Sequence, residues 1–145
     1  MLNISHYKII AIGKIKKRWI QSGIDMYLNR LPGLKIIEIK DSTQEKEEST
    51  IKDILKKNET LITLNENGHS FTSKRLATKL SDSHTQNITF VIGGATGLSP
   101  SLNTSASWQL SLSPLTFPHE IARLLLIEQL YRAQTILQGG PYHKE

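Results

Sequence analysis

The chain of 145 residues contains no cysteine. This excludes a disulfide framework, a thiolate zinc site and a cysteine nucleophile, and it fits a reducing compartment. No metal site is expected. No apolar run approaches the roughly 20 residues needed to cross a bilayer. The opening MLNISHYKIIAIGKIKK is too short in its apolar part and too basic after it for a signal peptide. A soluble, cytoplasmic protein is expected. The dinucleotide pattern GxGxxG and the P-loop pattern GxxxxGK[ST] are both missing, which argues against a nucleotide-dependent enzyme on an ordinary open sheet. The longest absence is of charge: no Asp, Glu, Lys or Arg occurs from Ser83 to His119. That stretch is rich in Ser, Thr and Gly. An uncharged run of this kind is buried or lines a site, and it offers no carboxylate for a ribose.

The charge that is present sits elsewhere. Net charge is +5, and residues 1–40 hold eight Lys/Arg against two acids. Residues 41–60 hold six acids and four bases. A basic N-terminal third points to a polyanionic partner, with nucleic acid the leading case. The competing reading is a solvated surface with a modest excess of charge. The length is that of one domain, so a single unit over residues 1–145 is expected, with no dividing linker and no internal repeat.

Apolar periodicity predicts strands at Tyr7–Ile12, Leu34–Ile39, Leu61–Leu64, Ile88–Ile92 and Trp108–Leu112. It predicts helices over Lys17–Arg30, Thr50–Lys57 and Pro118–Leu137, the last stopped by Gly139-Gly140. A further helix runs to Leu80, capped by Ser70 or Thr72, and Pro100–Ser105 holds a helical turn. Asp41–Glu48 reads as a charged, mobile loop. Alternation of strands and helices implies an α/β fold with a mostly parallel sheet covered on both faces. Ligands in such sheets bind beyond the carboxyl ends of the strands.

Three stretches carry chemistry. Gly93, Gly94 and Gly97 follow the fourth strand, where they serve either a tight turn or a loop whose backbone grips a small molecule. In SPLTFPHE, Pro118 fits the first turn of the last helix, and the free N–H groups there suit an anion. His119 sits at that mouth, as a surface residue or as a functional one. Along the last helix Ile121, Leu125, Glu128 and Arg132 form one stripe, so Glu128 and Arg132 can pair at i,i+4, as a plain helix-surface ion pair or as a functional one. That helix is apolar nearly all round, which calls for burial on two sides: its own sheet and a second subunit. The end, GGPYHKE, is a frayed terminus or a hinged Tyr142-His143 pair reaching a neighbour's cleft.

Together, FVIGGATGLSP, LSLSPLTFPHEIARLLLIEQLYRA and PYHKE resemble the bacterial family of 23S ribosomal RNA pseudouridine N3-methyltransferases, of the SPOUT superfamily. The resemblance spans the whole chain and is strongest from residue 61 onward. It implies a SPOUT-type α/β knot (a C-terminal trefoil), S-adenosylmethionine as methyl donor, a homodimer, and 23S rRNA in the assembled ribosome as substrate. It also implies cofactor-binding roles for Leu64, Gly94, Ser113, Pro114, Leu115, Thr116, Phe117 and Pro118. His119, Glu128, Arg132, Tyr142 and His143 match positions near the methyl-accepting site, with the tail completing the partner's pocket. His119, Arg132, Tyr142 and His143 are the candidate catalytic residues. The alternative is a non-enzymatic ribosome- or RNA-binding factor using the same basic surface. Two departures from the family pattern show. Ala95-Thr96 stands where many relatives carry Pro-Glu, which puts a carboxylate's role there in question. Lys144 stands where Arg is common, which removes a bidentate donor.

Overall fold

Period-two alternation sorts the strand side chains onto two faces. In the computed structural model, which describes residues 2–82 and 87–145, this produces five parallel strands. They are β1 (Tyr7–Ile12), β2 (Lys35–Ile39), β3 (Glu59–Ser70), β4 (Asn87–Ile92) and β5 (Trp108–Ser111), in the order β2-β1-β4-β3-β5. Tyr7, Ile9, Ala11, Ile62, Ile88 and Phe90 face one core, while Ile10, Ile12, Leu61 and Val91 face the other.

The larger core is covered by α1 (Arg18–Leu28), α3 (Ser73–Asp82) and α5 (His119–Leu137). Ile20 and Ile24 of α1, Leu76 and Leu80 of α3, and Leu126, Ile127 and Leu130 of α5 are buried there. The smaller core lies under α2 (Gln44–Ile54) and α4 (Pro100–Ser105), through Ile51 and Leu102. Helices thus cover both faces, as the alternation predicts. Among the described residues no helix is long and apolar enough to cross a membrane.

Three local expectations need correction. The segment Asp41–Glu48 is not a loop: α2 begins at Gln44, with Thr43 Oγ1 accepting from Lys46 N at 3.2 Å. Glu45 and Glu47 then favour the positive end of the helix, and α2 ends at Ile54 instead of reaching Lys57. The strand β3 runs to Ser70, six residues past Leu64, because it bulges and then rejoins β5. Of the two caps expected for α3, the structure bears out Thr72, whose Oγ1 accepts from Arg75 N at 3.2 Å. Pro118 caps α5 with ψ 141°, so it stands before the first turn and not within it. The first four residues of the charge-free run, 83–86, lie outside the described residues.

Candidate active site

The carboxyl ends of β3, β4 and β5 open into one cleft of about 740 Å³. Its floor is Leu64, Ile92 and Leu110, the last apolar residues of the three strands. One wall is residues 93–98 and the other is residues 112–119, without Pro114. The first wall is a turn in which Gly97 N donates to Gly94 O at 3.0 Å, with Gly97 at φ +73°. Gly93 packs so tightly under that turn that an added Cβ would lie 2.8 Å from the Gly97 carbonyl carbon. The wall is anchored from outside. Gln44 Nε2 donates to Thr96 O at 2.9 Å, and Ser99 Oγ donates to Glu48. Hydrogen bonds from Lys52, Ser101 and Ser99 hold the Glu48 carboxyl down at about 2.

The second wall carries Leu115, which is 70% exposed, and Thr116 at the rim. His119 stands at the mouth, on the first residue of α5. The cleft therefore offers apolar surfaces, backbone groups of two loops, and one imidazole. It also holds a carboxylate, against the expectation of a charge-free site. Glu66 enters from the bulge of β3, where Leu64 and His69 both pair with Leu110 and residues 65–68 loop outward. Gly68 closes the bulge against β5, passing where a Cβ would meet Gln109 O at 2.6 Å. Asn65, Leu98 and Asn103 line the cleft as well and were not picked out from the sequence. The Asn-Gly step at 67–68, just past an apolar run, was the available signal.

A second polar cluster forms where the tail folds back on α5. Glu128 Oε2 accepts from Arg132 Nη2 at 2.9 Å and from Tyr142 Oη at 2.7 Å. Tyr142 also meets Tyr27 Oη at 3.2 Å and stacks edge-on against Tyr131, with ring centroids 4.8 Å apart. The Glu128 hydrogen bond raises the Arg132 pKa, so the guanidinium stays charged. Burial, with hydrogen bonds to Tyr27 and Glu128, pushes the Tyr142 phenol well up, so it remains a donor. Arg132 Nη1 lies 3.0 Å from His143 Nδ1. Since guanidinium has no acceptor, Nδ1 must accept and a neutral His143 carries its proton on Nε2.

These two groups do not meet within one chain. His119 and Arg132 are thirteen residues apart on α5, which is about 20 Å along a helix. Of the predicted site residues, Leu64, Gly94, Ser113, Leu115, Thr116, Phe117, Pro118 and His119 gather at the cleft. Arg132, Tyr142 and His143 gather at the other end of the helix, and Pro114 is exposed beside the second wall.

The exposed basic run Lys14–Arg18 lies on the cleft side. Glu120 Oε1 accepts from Lys16 N at 3.0 Å and Lys17 N at 3.2 Å, tying that run to the start of α5. Burial opposes ionisation of Glu120, yet these two bonds hold its carboxyl below the usual range. Trp19, 62% exposed, follows directly.

Residues 5–143 match the family model for predicted SPOUT methyltransferases. Over all 145 residues, and the full length of the relative, the chain is 82% identical to ribosomal RNA large subunit methyltransferase H of Prochlorococcus marinus strain NATL2A. The chain belongs to this family. A member from Synechococcus sp. strain CC9311 is 53% identical over 143 residues, 99% of each chain. Solved structures share the fold at much lower identity. A probable methylase family protein of Haemophilus influenzae superposes with TM-score 0.62 at 12% identity, covering 97% of this chain and 71% of that one. The SpoU methyltransferase AviRb of Streptomyces viridochromogenes, solved in complex with AdoMet, gives 0.50 at 13% identity, covering 92% and 58%.

Proposed function

We propose that this member of the methyltransferase H family is a cytoplasmic enzyme that transfers a methyl group from S-adenosylmethionine to N3 of a pseudouridine in 23S rRNA on the assembled ribosome. The observation that carries this reading is the cleft formed by the glycine turn at 93–97 and the loop at 112–118. Its volume is in the range of small-molecule sites. Its apolar floor suits an adenine ring, and two loops of backbone would supply hydrogen bonds to its edge. Leu64, Gly94 and residues 113–118 would hold the donor. When bound, S-adenosylmethionine supplies an electrophilic methyl group.

The chain's task is then to position the acceptor and remove its imide proton. Arg132, held charged by Glu128, would offset the negative charge that develops on the flanking carbonyl oxygens. Tyr142 fixes Glu128 and covers the Arg132 guanidinium, whose carbon lies 4.7 Å from the ring centre. His143 has its Nδ1 lone pair committed to Arg132, which leaves His119 as the imidazole free to accept the proton. The separation along α5 calls for a homodimer in which one subunit's tail cluster faces its partner's cleft. The basic run at 14–18, tied beside His119, would meet rRNA phosphates. The family's trefoil knot belongs to the same reading.

The test is methylation of ribosomes by the purified protein, with mass-spectrometric mapping of the rRNA. A single methylated pseudouridine is expected; no methylation under conditions where the protein binds ribosomes would favour a non-enzymatic binding factor. Calorimetric titration with S-adenosylmethionine separates the two readings independently. Single-turnover rates of His119→Ala and His143→Ala test the base: a near-native rate for His119→Ala removes it from that role.

A further inference from the structure

Glu66 is the one carboxylate among the residues lining the cleft. It is held there by its own segment, by β5 and by the second wall. Thr116 Oγ1, from the second wall, donates to Glu66 Oε2 at 2.5 Å. Ser111 Oγ donates to the Glu66 carbonyl at 3.0 Å, and Asn67 N donates to Asn65 Oδ1 at 3.0 Å, closing the turn that carries it. Among the described residues Glu66 forms no ion pair. A hydroxyl is therefore the one protein side chain that offsets its charge among the described residues, at the exposed edge of a cleft with an apolar floor.

A sulfonium methyl donor and its product differ in charge. The donor carries an ammonium, a carboxylate and a sulfonium, for a net +1. After transfer the sulfur is a neutral thioether and the net charge is zero. Adenine, ribose and the amino-acid end are the same in both. An unneutralised carboxylate beside the pocket stabilises the cation and not the thioether.

We propose that Glu66 is a specificity-determining residue that favours the cationic methyl donor over the neutral product, lowering product inhibition. This rests on S-adenosylmethionine being the ligand of the cleft. Because Glu66 is at the solvent edge, the effect is moderate, about three- to fivefold in affinity, and it falls with salt.

Calorimetry on the full chain tests it, with S-adenosylmethionine and S-adenosylhomocysteine as the two probes. Glu66→Gln is expected to weaken donor binding about three- to fivefold while leaving product binding nearly unchanged. Glu66→Asp, which keeps the charge, is expected to retain most of the preference, and high salt should narrow the wild-type difference. Equal weakening of both probes would overturn the proposal, because it marks a contact with their shared parts. No change for either would overturn it too. If wild-type protein binds neither compound, the assignment of the cleft fails before Glu66 is at issue.

Discussion

At the scale of single residues, Gly93 and Glu120 make the sharpest statements. Gly93 has backbone where a side chain would begin, so Gly93→Ala must push the turn at 94–97 outward. A cost of about 1–3 kcal/mol in urea unfolding is expected, with weaker donor binding measured by calorimetry. Unchanged stability would mean that the turn yields freely and does not shape the cleft. Glu120 acts through charge. Its carboxyl is held below the ordinary range, so its contribution is present above the unfolded-state value of about 4.3 and is lost as pH falls through the folded-state value. The gap in urea midpoint between wild type and Glu120→Gln should be full at pH 7 and close between about pH 5 and 3. A constant gap over that range would show that the bonds to Lys16 N and Lys17 N do not depend on ionisation.

Among the elements, β1, β4 and β5 were readable from sequence because each is a short run rich in apolar residues; β1 and β4 are closed by glycine, and β5 ends at Ser111, one residue before the expected Leu112. The helix pair Glu128–Arg132 was readable from spacing alone. Two elements were not. The acids of Gln44–Glu48 looked like a solvated loop, since composition does not reveal that Thr43 caps them or that Ser99 and Ser101 bind Glu48 from across the molecule. The bulge in β3 was hidden because Asn65–Gly68 has the composition of a terminating turn, and only pairing with β5 on both sides makes it an excursion. That excursion is what brings a carboxylate to a cleft that appeared charge-free. The tail is a further element whose role composition left open. Removing residues 141–145 takes away the Tyr142 bond to Glu128 and its contact with Tyr131. A loss of about 1–2 kcal/mol is expected in urea unfolding. Methylation of ribosomes should fall by at least about a hundredfold. Retained activity would make the tail cluster purely structural.

For the whole molecule, the proposed function requires two clusters at opposite ends of one helix to act on one base. A second copy related by a twofold axis would meet that requirement, because an antiparallel α5 would carry Arg132 toward the partner's His119. The face available for such pairing includes half-buried Ile121 and Leu125 on α5. Exposed Met26 lies on α1, which packs on α5 through Gly23 and Leu124. Mixing decides between this arrangement and action within one chain. Let one variant be Gly94→Phe, whose Cβ would lie 3.2 Å from Ile12 Cγ2 and so displace the first wall of the cleft, and the other Arg132→Ala, which removes the cation of the tail cluster. Each alone is expected to be inactive. After random exchange of subunits half the dimers are mixed, and each mixed dimer has one intact cleft facing one intact tail. About one quarter of the wild-type activity per site should therefore return if the sites are shared across the dimer axis. If each chain worked by itself, every subunit in the mixture would still carry a lesion, and nothing would return. Exchange is to be verified by native mass measurement, so that silence cannot be blamed on dimers that never reassorted.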